Sequence, residues 1–281
     1  MSDWWMTVGA GARPAPRFRV VAFPHAGGWP SAFRSWWPVL PEDVELVVAQ
    51  LPGRGARVNE QPLTRVEPLV DALSRGLADL PELPYAVIGH SFGSVLAYEL
   101  TRVMEQKDLA PGLLAVSARQ PPCFPSEPPH PHLRSDAELV EHLLDIGGMT
   151  PQLVNRADLV QPSLRAIRAD LEAMERYERP LSGTGVPILA LGAVDDPVVV
   201  AERLHLWSLE TTGGFSRLMF TGGHFYLYEP AHAEAVIHRL VVGRHGAPYA
   251  GSPDEGPVPR PSRHPASVPG DDSKHPLKET S

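Results

Sequence analysis

The stretch Ile88-Gly89-His90-Ser91-Phe92-Gly93-Ser94, IGHSFGS, decides the fold. It follows an apolar run, Tyr85-Ala86-Val87-Ile88, and precedes a segment, 95–107, with helical periodicity. A serine between two glycines, where a strand gives way to a helix, fits a sharp turn that lifts the hydroxyl above the end of a sheet. The glycines suit such a turn because its flanking backbone segments approach with no room for a Cβ. The helix that starts under the serine aims free N–H groups and its positive dipole end at any oxyanion forming there. The plain alternative is a tight connection without chemistry. The five-residue pattern alone does not choose; the strand before it and the helix after it favour a nucleophile.

A serine hydroxyl attacks only when a base takes its proton. The turn therefore calls for an acid and a histidine downstream, in the order Ser, Asp, His. After the apolar run at 187–191 comes Gly192-Ala193-Val194-Asp195-Asp196-Pro197, and after the run at 217–220 comes Thr221-Gly222-Gly223-His224-Phe225. Both sites lie just past the ends of apolar runs, where parallel sheets build their sites. His224 reads as the base rather than as a loop histidine. Asp196 is preferred to its neighbour Asp195, because Pro197 biases the residue before it toward extended backbone. Two oxyanion donors are then needed. Phe92 N–H, next to the serine, is one. Ala26 N–H, in the Pro24-His25-Ala26-Gly27-Gly28 loop after the first apolar run, is the other. The alternative for that loop is a flexible turn.

Apolar runs at 18–23, 44–49, 85–88, 113–116, 187–191 and 217–220 scarcely alternate, as strands buried on both faces should not. Between them, 67–80 sets Leu69, Val70, Leu73, Leu77 and Leu80 at steps of three and four, and 94–103 and 233–242 repeat the pattern. Strands alternating with helices predict an α/β fold with a mostly parallel sheet. One gap breaks the alternation. About 70 residues separate the runs at 113–116 and 187–191; 120–132 is proline-laden and 135–177 strongly helical. That is too long for a crossover and predicts a helical lid over the sheet. The expected layout is a poorly ordered segment at 1–16, one domain at 17–245 with a lid insertion at about 120–182, and a disordered Pro/Ser/Gly-rich tail at 246–281.

Of 281 residues, 43% are hydrophobic, enough for a sizeable core. The 33 acidic and 25 basic residues give a net charge of −8, which speaks against nucleic acid or an anionic membrane as partner. The single cysteine, Cys123, allows no internal disulfide and no cysteine-based zinc site. His130 and His132 lie in a proline-rich stretch and read as part of a solvated loop, so no metal and no redox cofactor is expected. The N-terminus lacks the basic and then apolar pattern of a signal peptide, and no run is long enough to span a membrane. A cytoplasmic monomer is the expectation.

The pieces PHAGG at 24–28, LPGRGAR at 51–57, GHSFGS at 89–94, DDP at 195–197 and GGHFYL at 222–227 together resemble the type II (external, editing) thioesterases of polyketide and nonribosomal peptide pathways. The match runs in order over residues 17–243, and its specificity lies in the combination. The resemblance implies an α/β-hydrolase fold, with a mostly parallel central sheet flanked by helices and a helical lid. It implies hydrolysis of acyl groups from the phosphopantetheine arm of acyl or peptidyl carrier protein domains, which clears aberrant or stalled units. At the matching positions it makes Ser91 the nucleophile, His224 the base, Asp196 the orienting acid, and Ala26 and Phe92 the oxyanion donors. The arm belongs to the carrier, so the chain itself needs no cofactor. Two other readings stay open. One is a stand-alone carboxylester esterase or lipase with the same three residues. The other is a non-catalytic hydrolase-fold protein that binds an acyl carrier. Within LPGRGAR, Arg54 reads first as a local salt bridge in a structural turn and second as part of a loop near the site. Trp29 departs from the family as a bulky residue near the acyl pocket. Arg165, Arg168 and Arg176 are the candidates for meeting a phosphate at the entrance.

Overall fold

The apolar runs of the sequence become the inner strands of one sheet. The computed structural model describes residues 3–9, 15–124, 130–178, 181–242 and 255–258. In chain order the strands are β1 (Trp5–Val8), β2 (Phe18–Phe23), β3 (Val44–Ala49), β4 (Tyr85–His90), β5 (Leu114–Ser117), β6 (Ile188–Ala193), β7 (Phe215–Phe220) and β8 (Glu255–Val258). The helices are α1 (Val66–Ala78), α2 (Phe92–Glu105), α3 (Asp136–Asp145), α4 (Pro151–Val154), α5 (Ala157–Glu175) and α6 (Pro230–Val242). The strands lie in the order β1-β3-β2-β4-β5-β6-β7-β8, with β1 antiparallel to β3 and every other pair parallel.

Burial on both faces explains the unbroken apolar runs. In β2, Val21 and Phe23 point into a core shared with α1 and α2, while Phe18, Val20 and Ala22 point into a second core with α6 and the 3₁₀ segment Pro30–Val39. Neither face meets water, so neither needs polar alternation. From β2 the chain steps outward to β3, returns, and then builds β4 to β7 in the opposite direction. The reversal falls between β2 and β4. At such a point the loops leaving two adjacent strands diverge and open a crevice at the carboxyl edge of the sheet.

Two expectations from the sequence need correction. The segment 1–16 is not simply poorly ordered: β1 pairs along β3, with Trp5 opposite Ala49 and Val8 opposite Leu46. The Trp5 ring is buried edge-on to Phe23 at 5.5 Å, and its Nε1–H donates to the Leu73 carbonyl at 3.2 Å. Without β1, the outer backbone groups of β3 would form an unpaired sheet edge. The tail 246–281 likewise contributes β8, paired to β7 at Leu218↔Glu255 and Phe220↔Val258 with a register irregularity between them. An edge position tolerates Pro257, since its missing N–H can face away from the sheet. Residues 1–2 and 10–14 of the first segment, and 246–254 and 259–281 of the second, lie outside the described residues.

The predicted insertion forms α3, α4 and α5, which share a small core of Leu139, Leu143, Met149, Val160, Leu164 and Ile167. Ser135 caps α3, its hydroxyl accepting the Glu138 N–H while Glu138 bonds back to the Ser135 N–H. His130 and His132 are not freely solvated; both ring Nδ1 atoms lie against the Glu175 carboxylate at the end of α5.

A Trp5→Ala chain is expected to lose about 3–5 kcal/mol of stability in urea unfolding, the cost of emptying a packed aromatic site. A loss under about 0.5 kcal/mol, typical of a surface change, would show that β1 is a passive attachment.

Candidate active site

Four loops meet at the carboxyl edge of the sheet, following β2, β4, β6 and β7. The loop after β4 is the tightest. Ser91 has φ 55° and ψ −117°, outside the usual regions for a residue with a side chain. Its neighbours fix it there. A Cβ on Gly89 would lie 2.1 Å from the Gly93 carbonyl oxygen, and one on Gly93 would lie 2.3 Å from the Phe23 carbonyl oxygen. Both obstacles are backbone and cannot swing aside. The Ser94 hydroxyl lies 2.9 Å from both the Gly89 and the Ser117 carbonyl, between which its one proton is shared, and it accepts the Ser117 N–H, tying the turn to β5. Helix α2 therefore begins at Phe92, immediately after the serine.

The hydroxyl so presented meets the two downstream residues. His224 Nε2 lies 3.1 Å from Ser91 Oγ, and His224 Nδ1 lies 3.0 Å from each carboxylate oxygen of Asp196. His224 is 3% exposed and the Asp196 side chain 1%, so their contact is shielded from water. Asp196 also accepts the Val198 N–H at 2.8 Å, which holds the carboxylate in place. Asp195 is exposed and takes the Gly222 N–H at 3.3 Å; it steadies the loop that carries His224 and does not touch the imidazole. Of the two adjacent acids, Asp196 is the one brought to the histidine.

The two amides expected to face an oxyanion are free to do so. Phe92 N–H is the first of α2 and has no acceptor within the helix. In the turn after β2, Gly27 N–H goes to Asp170 and Gly28 N–H to the His25 carbonyl, while Ala26 N–H has no partner among the described residues. Ala26, Ser91 and His224 line one cavity of about 320 Å³, walled by Leu143, Ile146, Met149, Leu153, Ile167 and Leu171 of the lid. Trp29 stands half-exposed at its rim. Arg165, Arg168 and Arg176 do not line it. Arg165 bonds to the Glu60 carbonyl and Gln61, Arg168 to the His132 and Arg134 carbonyls and Asp136, and Arg176 to Glu172.

Beneath the site lies a layer the sequence did not single out. His90 is fully buried, its Nδ1 2.9 Å from Ser117 Oγ, which is in turn 2.7 Å from the Tyr226 hydroxyl. Burial holds the His90 pKa well below the usual histidine value, and the nearby His224 and His25 push it the same way. Burial first, then His224 and Arg54, lower His25 to about 3; its Nδ1 sits 2.8 Å from the Tyr228 hydroxyl. The two rings stay neutral around His224, whose ring centroid is 5.4 Å from that of His90. An imidazolium forming on His224 thus meets no second positive histidine. The only sequence signal for this layer was a histidine embedded in an otherwise apolar strand end.

A neutral buried histidine makes stability depend on pH. The unfolded chain protonates His90 near pH 6.5, whereas the folded chain does not. Below that pH, stability falls as pH falls, by up to about 1.4 kcal/mol per pH unit for this one group. Urea midpoints between pH 7.5 and 5 should therefore drop less steeply for His90→Gln than for the parent chain. Parallel curves would assign the acid sensitivity elsewhere.

Comparison with known proteins agrees with the geometry. The thioesterase domain family matches residues 18–241. The gramicidin S biosynthesis protein GrsT of Aneurinibacillus migulanus is 34% identical over 235 residues, which are 82% of this chain and 90% of that protein. The type II thioesterase BorB from the borrelidin biosynthetic cluster superposes with a TM-score of 0.78 at 35% identity, covering 87% of this chain and 99% of BorB. RedJ, the thioesterase of the prodiginine pathway in Streptomyces coelicolor, superposes with a TM-score of 0.75 at 35% identity, covering 84% and 96%. The chain thus belongs to the thioesterase domain family, is a thioester hydrolase of α/β-hydrolase fold, and is similar to type II thioesterases of polyketide and nonribosomal peptide pathways.

Proposed function

We propose that the chain hydrolyses acyl thioesters from the phosphopantetheine arm of acyl or peptidyl carrier protein domains, by way of an acyl-serine. The observation that carries this reading is the unbroken chain Ser91–His224–Asp196 at the floor of a lid-covered apolar cavity. Ser91 Oγ attacks the thioester carbonyl carbon while His224 Nε2 takes its proton. The oxyanion is held by Ala26 N–H and Phe92 N–H, assisted by the positive end of α2. The C–S bond breaks, and the pantetheine thiol leaves with the proton from His224. Water, deprotonated by the same nitrogen, then attacks the acyl-serine; the bond to Ser91 Oγ breaks, His224 gives the proton back to that oxygen, and the acid is released. Asp196 fixes the imidazole tautomer and stabilises its charged form. The thiol arm arrives on the carrier and leaves with it, so the proposed cycle requires no cofactor held by this chain.

A cavity of about 320 Å³ with apolar lid walls suits an acyl chain. Similarity to enzymes from polyketide and nonribosomal peptide clusters points to a carrier-bound substrate. A stand-alone esterase would use the same three residues, so the fold cannot separate the two. The substrate does.

The test loads a short acyl group on a holo carrier protein and follows its release by intact mass, beside a p-nitrophenyl ester of the same acid. The parent chain should unload the carrier much faster than it cleaves the ester. Preferential turnover of the ester, with the carrier left loaded, would make it an esterase. Ser91→Ala should lower kcat by at least about 10⁴-fold. Asp196→Asn should cost about 10³–10⁴-fold and Asp195→Asn no more than a few-fold. Equal losses at 195 and 196 would contradict the assignment of Asp196.

A further inference from the structure

Arg54 is 2% exposed, unusual for an arginine outside any ligand site. It does not make the local salt bridge its sequence context suggested. Its guanidinium meets Asp170 of lid helix α5, 116 positions away, in a two-pronged pair: Nη1 to Oδ2 at 2.5 Å and Nη2 to Oδ1 at 2.8 Å. Asp170 is 1% exposed. The remaining Arg54 hydrogen bonds, at 3.3–3.4 Å, go to the Pro52 carbonyl of its own loop.

Stability gives no account of this pair. Taking two charges out of water costs about as much as their attraction returns, and apolar pairs of similar volume often do as well. What the pair holds is more telling. Asp170 Oδ2 also accepts the Gly27 N–H, at 2.7 Å. Gly27 is the residue after Ala26, and its amide belongs to the peptide unit whose carbonyl is that of Ala26. Its φ is +72°, and a Cβ there would lie 2.1 Å from Ile167 Cγ1. Ile167 and Asp170 sit three residues apart on α5, so one face of the lid helix both packs against this turn and hydrogen-bonds to it.

We propose that Asp170, oriented by Arg54, is a positioning residue that sets the oxyanion turn and couples it to the seating of α5. This rests on Ala26 N–H being an oxyanion donor, as in the reading above. The Ala26 N–H shares its peptide unit with the His25 carbonyl, which accepts the Gly28 N–H at 2.8 Å. The next unit is also fixed, through Gly27 N–H on Asp170, so neither plane flanking Ala26 is free to rotate, and Ala26 is held at the cavity wall. A lid helix that lifts takes the acceptor with it, so the oxyanion site is complete only when α5 is down. A small displacement of such a donor costs far more in rate than in ground-state binding.

Asp170→Ala alone would leave Arg54 buried and unpaired, and loss of fold would obscure the result. The informative pair is Arg54→Met with Asp170→Asn, and Arg54→Met with Asp170→Leu. Both are neutral; only the first keeps an acceptor for Gly27. The readouts are melting temperature, kcat and KM on the p-nitrophenyl ester, and the rate at which an alkyl fluorophosphonate labels Ser91. The Leu variant should fold, hold KM within about threefold, and lose about 10- to 100-fold in kcat and labelling rate relative to the Asn variant. Equal rates in the two folded variants overturn the proposal. Amide exchange on the parent chain is the second measurement. Gly27 should be protected, and exchange at the rate of an open turn overturns the proposal even if neither variant folds. Labelling needs no carrier. A parent chain that labels rapidly, leaves the carrier loaded, and loses labelling in the Leu variant therefore overturns the carrier assignment and upholds this one.

Discussion

The contact between backbone and backbone at Gly89 and Gly93 is the constraint on which the rest depends. Strand β4 can pass into α2 within a single residue only because the Gly89 α-carbon lies against the Gly93 carbonyl, and Gly93 against the end of β2. Neither glycine can accept a methyl group without moving the main chain. The residue left between them takes a backbone geometry that is costly for a serine, and the surrounding contacts over-determine it. Three consequences follow from this one approach. The hydroxyl stands proud of the sheet, the first amide of α2 opens beneath it, and β2 is drawn close enough for its following turn to bring Ala26 into the same cavity.

Electrostatics completes what the backbone begins. His224 is closed off from water on the side of Asp196 and open toward Ser91. Around it stand His25 and His90, both held neutral, chiefly by burial. Tyr226 and Tyr228 have their hydroxyl pKa values raised by the same burial and stay protonated beside these rings. These four rings therefore stay uncharged around the His224–Asp196 pair. A shell of this kind needs no reorganisation as charge develops, which is the main way a fixed protein environment lowers a barrier.

Much of this was legible in the sequence, for local reasons. The inner strands β2 to β7 announce themselves because burial on both faces leaves an apolar run with no competing pattern. Ser91 and His224 are found because each follows such a run in a glycine-bearing turn, and Asp196 because Pro197 shapes the residue before it. The outer strands were missed for the opposite reason. In Trp5–Val8 the burial of Trp5 gives way to exposure at Met6, and Glu255–Val258 is half glycine and proline; both are strands because an edge is available to pair with. Nothing within five residues of Arg54 points to Asp170, and nothing near His90 points to Ser117 or Tyr226. Those contacts join residues 27 to 116 positions apart, and only the folded sheet makes them neighbours.

The most direct test of the central claim is the crystal structure of the chain after reaction with an alkyl fluorophosphonate. The account predicts one phosphorus atom bonded to Ser91 Oγ, with its unesterified oxygen about 2.7–3.1 Å from both the Ala26 and the Phe92 amide nitrogens. An adduct on another residue, or a Ser91 adduct whose oxygen faces away from both amides, would contradict it.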